Sequence, residues 1–496
     1  MENSNLEVLL INPPVFDLAE KIKIMNNKIY PPLGLAYIAA VLEQKGFNVK
    51  IIDAFAEQLN EKKLRKRIEK SNASLVGVSN QFTSYCENAE KVAKIAKEEL
   101  DAFVVQGGIH ATIATKEVLK DKNTDLVICG EGEKTFNEIA KKLCKGKSIK
   151  GIAGTAEKKG KKIVFNKPRQ FIQNLDELPF PARHLLPMQI YFEKEDLRWN
   201  MRFPKATIVT SRGCPGRCVY CSVHTMWGRT WRAHSAKRVV DEIESLVEEY
   251  GVREIDFMDD NIALNPLRMK EICNEIIERK IDIKWKTPNG IGHWTLNKEL
   301  INLMKKSGCH RLAFGIESAN SEIRKFIHKE HSLKQAEQII RDANNAGIWT
   351  EATFILGFPY ETKSQMQETI EWALKSDLDF ALFYLLGVYP GTEIEEILKK
   401  EGLEKKCIEK SIAYDTKKMS AGELESVWKN ANEKMRARII KRFLNPTNII
   451  KKIHSTEDIL YLLKLAKTYA ELVLVTKDWT GFKGKKTKSH EKKIAF

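Results

Sequence analysis

The chain has 496 residues, 43% of them apolar and 30% charged, a composition typical of a globular protein large enough for two or three domains. It lacks the run of about 18 apolar residues that would predict a membrane span, and its acidic N-terminus is unlike a signal peptide, so we expect a cytoplasmic protein. Of the formal net charge of +16, residues 401–496 supply +10, with 22 Lys and Arg against 12 Asp and Glu; no zinc-finger, RNP or helix-turn-helix pattern accompanies this charge, so a nucleic-acid partner is not expected.

Strand-like and helical patterns alternate through the first 150 residues. Short apolar runs predict the strands, and amphipathic runs predict the helices between them. We predict strands at 8–11, 49–52, 75–79, 103–105 and 126–129, and helices at 33–45 and 85–100. This alternation favours a doubly wound, Rossmann-like parallel sheet whose ligand-binding loops lie beyond the carboxyl ends of its strands.

Three loops of this region contain glycines that would let the backbone approach a large flat ligand. They read PPLGL at 31–35, GGIHAT at 107–112 and GEGE at 130–133. Together they resemble a cobalamin-binding domain over nearly all of residues 5–145. The resemblance implies cobalamin contacts at Asn12, Pro13, Gly34, Ser79, Gly107, Gly108, His110, Glu131, Gly132 and Glu133.

The loop after the first strand lacks a histidine. Corrinoid-binding methionine synthases carry DxHxxG there, and their histidine replaces the lower ligand of cobalt, whereas this chain reads NPPVFD at 12–17. Histidine ligation from that loop is therefore excluded. The resemblance to cobalamin-dependent enzymes without this ligand implies a weak or water lower ligand, which would leave cobalt free to give up a methyl group. For His110, the first histidine of the chain, the alternative to a cobalamin contact is a structural role as a hydrogen-bonded loop residue.

We predict that residues 151–199 form a connector between two domains. The segment 174–183 carries two prolines, which exclude a helix through it. We therefore expect an extended linker laid along the domain boundary, without a part in the chemistry.

Three cysteines between residues 211 and 222 form a CxxxCxxC pattern, Cys214, Cys218 and Cys221. Thiolates this close in a loop rich in glycine and proline favour an iron–sulfur cluster or zinc. A structural zinc site would need a fourth ligand, for which His224 is the nearest candidate, whereas three thiolates suit a [4Fe-4S] cluster with one open iron. The other six cysteines are scattered, which fits a reducing compartment better than a disulfide framework.

With the strand predicted at 206–209 and the aromatic Tyr220 before the third cysteine, this segment resembles the radical SAM superfamily. The resemblance implies that the cysteines hold a [4Fe-4S] cluster whose open iron chelates the amino and carboxylate groups of S-adenosylmethionine (SAM). In this superfamily a cobalamin-binding domain often precedes the cluster domain, with a segment similar to 174–183 between them.

Strand and helix patterns continue after the cysteines. We predict strands at 254–258, 285–289, 311–316, 351–356 and 380–386, and helices at 236–250, 267–278, 298–307, 333–346 and 363–374. They favour a partial (β/α)6 TIM-type barrel with its site at the carboxyl ends of the strands. The superfamily resemblance implies SAM contacts at Tyr220, Asp259, Asp260, Asn289, Glu317 and Ser318. After the fifth strand Tyr360 replaces a glycine typical of the superfamily, so a left-handed backbone is not expected there.

Residues 401–496 predict a helical, basic C-terminal region. Helices are predicted at 421–443 and 456–475, and we expect both to cap the barrel mouth. The cations Arg436, Arg438, Lys441 and Arg442 also favour an alternative, peripheral contact with an anionic membrane that would place the mouth near the bilayer. The lysine-rich stretch 483–493 is predicted to be disordered.

These resemblances imply an enzyme of the cobalamin-dependent radical SAM family, with domains at 1–150, 151–199, 200–400 and 401–496. The implied activity is methyl transfer to an unactivated carbon of a small-molecule or lipid substrate, through a 5′-deoxyadenosyl radical and methylcobalamin, with a one-electron donor of flavodoxin or ferredoxin type. The alternative in the same family is a cyclase or C–C bond-forming enzyme acting on a lipid or tetrapyrrole. A corrinoid sensor or carrier would not need the cluster, and methylthiolation would need three further cysteines at other positions.

Overall fold

The computed structural model describes residues 6–16, 29–81, 86–193, 200–403, 405–408 and 411–475. Its first sheet has seven strands in the order β2-β1-β3-β4-β5-β6-β7. They are β1 (Glu7–Asn12), β2 (Asn48–Asp53), β3 (Leu75–Ser79), β4 (Phe103–Gly107), β5 (Leu126–Ile128), β6 (Thr155–Lys159) and β7 (Lys162–Phe165). The first five strands are parallel, which confirms the predicted doubly wound sheet and places a ligand crevice where the strand order reverses, between β1 and β3.

Helices cover both faces of this sheet. They are α1 (Leu33–Gln44), α2 (Glu61–Glu69), α3 (Cys86–Leu100), α4 (Ile109–Ile113), α5 (Thr115–Val118) and α6 (Glu133–Cys144). One apolar core includes α1 and α6, and a second, on the other face, includes α2 and α3. Helix α2 was not predicted, because seven of its nine residues are charged and only Leu64 and Ile68 are buried. The predicted helix start at Tyr85 lies outside the described residues.

The first sheet continues past the domain boundary predicted at residue 150. Strand β6 pairs antiparallel with β5, and β7 with β6, so a hairpin extends the sheet to Phe165. The chain then passes through a proline-containing segment and α7 (Met188–Glu193). Arg183 of this segment ties it to the barrel through a buried ion pair with Glu242 at 3.0 Å.

Six parallel strands form the second sheet, in the order in which they occur along the chain. They are β8 (Lys205–Ile208), β11 (Glu254–Phe257), β12 (Lys284–Ile291), β13 (Cys309–Glu317), β14 (Trp349–Leu356) and β15 (Phe380–Leu385). Two short pairings flank them, β9 (Ser211–Arg212) with β10 (Arg232–Ala233), and β16 (Lys405–Ile408) with β17 (Ser411–Tyr414). The helices are α8 (Val223–Trp227), α9 (Ala236–Tyr250), α10 (Pro266–Glu278), α11 (Lys298–Lys306), α12 (Ser321–Phe326), α13 (Leu333–Asn345), α14 (Lys363–Lys375) and α15 (Glu393–Lys400). The predicted partial barrel is confirmed.

The C-terminal region consists of α16 (Ala421–Leu444), α17 (Pro446–Ile450) and α18 (Thr456–Val475). Helix α16 runs along the open edge of β15, where the indole nitrogen of Trp428 donates to the Phe383 carbonyl at 2.6 Å. Helix α18 lies across the amino-terminal ends of β13 and β14, where the Tyr461 ring contacts His310 and Trp349. The prediction that both helices cap the barrel mouth is therefore wrong for α18, which covers the opposite end.

Two of the four cations predicted to face a membrane are used inside the fold. Arg438 donates to three carbonyls around the end of α14, those of Leu374, Ser376 and Leu378. Arg442 binds the Asp379 carboxylate at 2.9 Å. Cations stabilise a helix C-terminus in this way, because its last carbonyls have no partner within the helix.

Membrane contact through the C-terminal region stays a prediction, with fewer free charges to support it than the sequence suggested. The stretch 483–493 lies outside the described residues. Across the residues that the structure describes, no helix is both long and apolar enough to cross a bilayer.

Candidate functional site

The cysteine loop, residues 213–231, leaves the barrel after β8 and is closed at its base by the two residue pairs of β9 and β10. One of these pairs joins Arg212 to Arg232. Gly213 starts the loop with a φ of 85°, and a Cβ there would lie 2.4 Å from the Thr230 carbonyl oxygen. Only glycine fits this crossing of the two ends, so the residue before the first cysteine has a steric role.

The three cysteines of the loop are neighbours in space. A Cβ at Gly216 would lie 3.3 Å from the Cys214 sulfur and 3.9 Å from the Cys218 sulfur. Burial first, and then the charges of the groups around it, including the other two thiols, raise the pKa of the Cys221 thiol to about 11. A buried thiol of this kind ionises when a metal replaces its proton.

This donor set fits a [4Fe-4S] cluster better than a single metal ion. Among the described residues, no three His, Cys, Asp or Glu side chains converge closely enough to hold one ion. That includes His224, whose Nδ1 lies 2.9 Å from the Cys221 carbonyl oxygen. A cubane cluster binds each thiolate through a separate iron, so three neighbouring cysteines of one loop suit it.

The two aspartates that follow β11 have different environments. Burial, followed by the charge of Asp259, raises the pKa of Asp260 to about 6. Asp259 is 2% exposed and accepts hydrogen bonds from Thr210 and Ser211, which lead into the cysteine loop. Its carboxylate therefore holds the two residues that lead into the cysteine loop, and a contact of Asp259 with SAM stays a prediction.

The other residues predicted to contact SAM also differ from one another in burial and in hydrogen-bond partners. Glu317 ends β13, is largely buried and has a left-handed φ of 67°, a strained conformation that often accompanies function. Asn289 lies exposed near the end of β12, and Tyr220 lies within the loop. Ser318 is fully buried, its hydroxyl bonds the Thr369 hydroxyl at 3.1 Å, and its contact with SAM also stays a prediction. Contact of Glu317, Asn289, Tyr220 and Asp260 with SAM stays a prediction.

Lys329, which sequence analysis did not single out, brings a cation to the cysteines. Its ammonium lies 3.1 Å from Glu317 Oε1, and the two side chains are only 12% and 10% exposed. Burial alone would lower the pKa of Lys329, but the Glu317 carboxylate and then the charges of Cys218 and Cys221 raise it above its usual range. A buried cation in this position can bind the carboxylate of a ligand.

The loop after β14 lacks the left-handed residue at position 360, in agreement with the prediction for Tyr360. Gly357 takes that conformation instead, with a φ of 88°. The Tyr360 hydroxyl donates to Glu401 at 2.6 Å. Glu361 turns inward, is fully buried, and accepts hydrogen bonds from the amides of Gly357 and Phe358.

Stability is expected to fall between pH 4.5 and 7 because of Glu361. Burial raises the pKa of this carboxyl to about 7 from its ordinary 4.5, so the folded protein keeps a proton that the unfolded chain releases over this range. Stability is therefore full below the unfolded pKa and is lost as the pH rises, by about 3 kcal/mol in total. The Glu361→Gln variant should lack this slope in urea unfolding at pH 5 and pH 8. Equal slopes in the two proteins would contradict the assignment.

A cavity of about 340 Å³ lies between the two sheets and is mostly apolar. The first domain contributes seven of the predicted residues: Gly34, Ser79, Gly107, Gly108, Glu131, Gly132 and Glu133. The barrel domain contributes Thr207, Val209, Arg212, Met226, Trp227 and Met258. Gly108 has a φ of 108°, and a Cβ there would lie 2.9 Å from the Asn80 carbonyl oxygen, so the backbone itself forms this part of the wall. A broad apolar wall with exposed backbone fits a large flat ligand such as a corrin.

Three of the residues predicted to contact cobalamin lie outside this lining in the part of the chain that the structure describes: Asn12, Pro13 and His110. Asn12 donates instead to the Asp53 carboxylate at 2.8 Å. His110 is 4% exposed within α4, and burial lowers its pKa. A structural role in the loop, the alternative for His110, agrees better with this position than a cofactor contact does.

Cobalamin bound to this protein is expected to carry no histidine on cobalt. Among the described residues that line the cavity, none is a histidine. Electron paramagnetic resonance of the Co(II) form should therefore show no nitrogen superhyperfine splitting from a protein imidazole. His110→Ala is the matched control, and a splitting that disappears in this variant would refute the expectation.

Both carboxylates of the GEGE loop join the two domains beside the cavity. Glu131 Oε1 accepts hydrogen bonds from Arg212 at 3.0 Å and from Arg232 at 2.7 Å. Glu133 accepts one from Arg212 at 2.6 Å. All four side chains are buried, so these carboxylates bind the base of the cysteine loop as well as bordering the predicted corrin site.

Two known protein families match this chain, one in each half. The family described as the Radical SAM superfamily matches residues 208–373, and the B12 binding domain matches residues 26–140. An uncharacterized methyltransferase of Pyrococcus horikoshii is 39% identical over 393 residues, 79% of this chain and 83% of the relative. The cytidylyl-2-hydroxyethylphosphonate methyltransferase of Streptomyces wedmorensis is 30% identical over 411 residues, 73% and 77% of the two chains.

A solved structure shares the whole arrangement of domains. TsrM, a radical S-adenosylmethionine methyltransferase from Kitasatospora setae determined with cobalamin and a [4Fe-4S] cluster bound, aligns with a TM-score of 0.72. The alignment covers 94% of this chain and 99% of that chain at 19% sequence identity. The likeness therefore concerns the fold.

Proposed function

The chain belongs to the cobalamin-dependent radical SAM enzymes, and from that membership we propose that it transfers a methyl group to an unactivated carbon of a small molecule. Relatives named as methyltransferases support the reaction type. The name of the Streptomyces relative, which includes a cytidylylated phosphonate, supports a small-molecule substrate. We also infer an external one-electron donor of flavodoxin or ferredoxin type, because the cluster must be reduced before each cleavage of SAM.

One observation carries the proposal, namely that a single segment borders both cofactor sites. Cys218 and Cys221 belong to the cluster site, and Met226 and Trp227, in the helix α8 that follows at once, line the corrin cavity. A methyl donor and a radical source can act on one carbon only if both are bound within reach of it. Because the two sites share this wall, the observation supports one methyl-transfer reaction that uses both cofactors, and not two unrelated activities.

The residues of the chain would bind and orient the cofactors and keep water away. When bound, the reduced cluster and the methylated corrin supply the electron that cleaves SAM and the methyl group that is transferred. The three cysteines would hold the cluster, and Lys329 would bind the carboxylate of SAM while Glu317 accepts from its amino group. The apolar side chains of Met226 and Met258 would exclude water from the space between the sites.

The proposal is tested with SAM that carries a trideuterated methyl group. Reconstituted protein, loaded with cobalamin, is incubated without oxygen with this SAM, a one-electron reductant and cell extract, and products are searched by mass spectrometry. A new compound with a trideuterated methyl group on carbon is expected. Protein without cobalamin, and a variant with alanine at all three cysteines, are the controls and should give none.

The same experiment separates the proposal from its alternative. A cyclase or other C–C bond-forming enzyme would produce 5′-deoxyadenosine from SAM without placing the labelled methyl group in a product. Cobalamin-dependent formation of 5′-deoxyadenosine together with an unlabelled, rearranged product would therefore replace methyl transfer by this alternative.

A further inference from the structure

The last three helices of the chain carry a group of exposed apolar side chains. Leu444 ends α16 and is 77% exposed, and Ile450 ends α17 and is 67% exposed. In α18, Leu460 and Leu463 are 67% and 61% exposed. We call these four side chains the C-terminal apolar face. Single exposed apolar residues are normal on a protein surface, whereas a contiguous group of them is typical of an interaction site.

The three helices meet at Trp349, which places the four side chains on one surface. The Trp349 ring stacks on that of Phe443 in α16 with 5.8 Å between centroids, and it contacts the ring of Tyr461 in α18 edge-on at 6.2 Å. The ammonium of Lys452, just after α17, lies 5.0 Å from the centroid of the same indole. The exposed residues next to these three in the sequence therefore lie together on the outer side of the helices.

Helix α18 has apolar residues on two opposite sides. The buried residues recur every three or four positions and form its inner side: Asp458, Tyr461, Leu465 and Thr468. Leu460 and Leu463 lie on the opposite side of the helix, because successive residues are turned by about 100°. A surface helix of a globular protein normally has a polar outer side, so the outer leucines need a cover that the barrel core does not provide.

The surroundings of the C-terminal apolar face are basic. Three exposed lysines belong to these helices or follow them directly: Lys441, Lys451 and Lys467. The acidic residues described between 440 and 468 are Glu457, which binds Arg202 at 2.9 Å, and Asp458, which accepts from Ser455 at 2.9 Å. The chain then continues into residues 476–496, with seven Lys against one Asp and one Glu, a net charge of +5. Apolar side chains bordered by lysines are the composition with which helices bind an anionic bilayer surface.

We propose that the C-terminal apolar face docks on an anionic phospholipid bilayer, with its four apolar side chains in the interfacial layer and the lysines at the level of the phosphates. The competing occupant is a second copy of this chain. A symmetric contact between two copies would bring the lysines and the +5 segments of both chains together, and repulsion between like charges opposes it. Anionic lipid attracts the same charges. The inference does not rest on methyl transfer.

Docking through this face would direct the mouth of the barrel away from the bilayer. Helix α18 lies across the amino-terminal ends of β13 and β14, whereas the cysteine loop follows the carboxyl end of β8. This orientation is opposite to the one that the sequence favoured. The membrane would therefore localise the enzyme, and the substrate would reach the site from the aqueous side.

Flotation with vesicles tests the proposal on the full-length, unmodified protein. Vesicles of phosphatidylcholine with phosphatidylserine, and vesicles of phosphatidylcholine alone, are each mixed with the protein at low and at high salt. We expect most of the protein to float with the anionic vesicles at low salt and little of it with phosphatidylcholine alone. High salt should release much of the bound protein, because it screens the lysines. Protein that remains unbound beside anionic vesicles at low salt would contradict the proposal.

Leu460→Glu tests the apolar face itself. The ratio of bound to free protein should fall about tenfold, because one apolar side chain no longer inserts and a carboxylate is repelled by the lipid. Uptake of iron and cobalamin verifies that the variant is folded. Leu267→Glu is the matched control, since Leu267 in α10 is 72% exposed, and it should float like the unmodified protein. If Leu460→Glu does not fold, Leu463→Glu, on the same side of α18, replaces it with the same expected result.

Three further outcomes would overturn the proposal. The first is equal flotation of Leu460→Glu and the unmodified protein, which would show that the face does not touch lipid. The second is an equal loss in Leu267→Glu, which would reduce the effect to general surface charge. The third is an unmodified protein that is dimeric by light scattering and becomes monomeric in Leu460→Glu, which would assign the face to a second copy. All three leave the proposed function intact, because methyl transfer is measured separately.

Discussion

Replacing Cys214, Cys218 or Cys221 with alanine is expected to reduce the iron of the reconstituted protein from about four atoms per chain to near none. Cleavage of SAM to 5′-deoxyadenosine should disappear with it. Each cysteine supplies one of only three protein ligands in the loop, and the neighbouring sulfurs cannot close a cluster without it. Iron analysis and chromatography of 5′-deoxyadenosine measure the two effects.

Cys144→Ala is the matched control for these variants. This cysteine ends α6, is exposed, and lies outside the cysteine loop, so iron content and SAM cleavage should match those of the unmodified protein. Substantial formation of 5′-deoxyadenosine by a variant that lacks all three loop cysteines would remove the basis of the cluster assignment.

Lys329→Met is expected to have the next largest effect, on both stability and SAM binding. Removal of the ammonium leaves the Glu317 carboxylate buried and unpaired, which costs about 3–5 kcal/mol of the free energy of unfolding. Loss of the cation that we propose for the SAM carboxylate should weaken SAM binding by at least about 30-fold, or about 2 kcal/mol. Urea unfolding and equilibrium binding of SAM to the cluster-loaded protein measure the two quantities.

Two further variants separate the structural from the cofactor role of Lys329. The double variant Lys329→Met, Glu317→Gln removes both charges and should recover most of the lost stability, while SAM binding stays weak. Lys452→Met breaks another buried pair, with Asp379 at 2.7 Å beneath the barrel, and should destabilise the protein without affecting SAM binding once folded. If the double variant regained normal affinity for SAM, Lys329 would have no direct role in binding it.

The order of elements was predictable from the sequence because the signals are local. The five parallel strands of the first sheet, the six of the second and the helix at 236–250 follow from hydrophobic periodicity, and the structure places them within a few residues of the predicted bounds. The cysteine spacing likewise predicts the ligands of an iron–sulfur cluster, since three thiolates within eight residues of a loop are neighbours in almost any fold. The highly charged helix α2 and the hairpin β6–β7 were missed because few of their side chains are buried apolar ones.

What the tertiary structure decided is the direction in which each polar side chain points and which distant residue it meets. Asp259 and Asp260 are adjacent in the sequence and follow the same strand, yet it is Asp259 that accepts hydrogen bonds from Thr210 and Ser211, a choice that the sequence does not reveal. The same reasoning applies to Ser318, buried next to Glu317.

Long-range pairs are likewise beyond the reach of a single sequence. Lys329 meets Glu317 and the thiols only through the path of the chain after β13, and Glu131 meets Arg212 only when the two domains pack together. Helix α18 has the pattern of a cap, but which end of the barrel it covers depends on contacts such as that of Tyr461 with Trp349. The sequence by itself therefore determined the elements, the family resemblance and the cluster ligands, which depend on local spacing. The partners of buried charges and the placement of the helices depend on packing between residues far apart in the chain, and only the folded structure determines them.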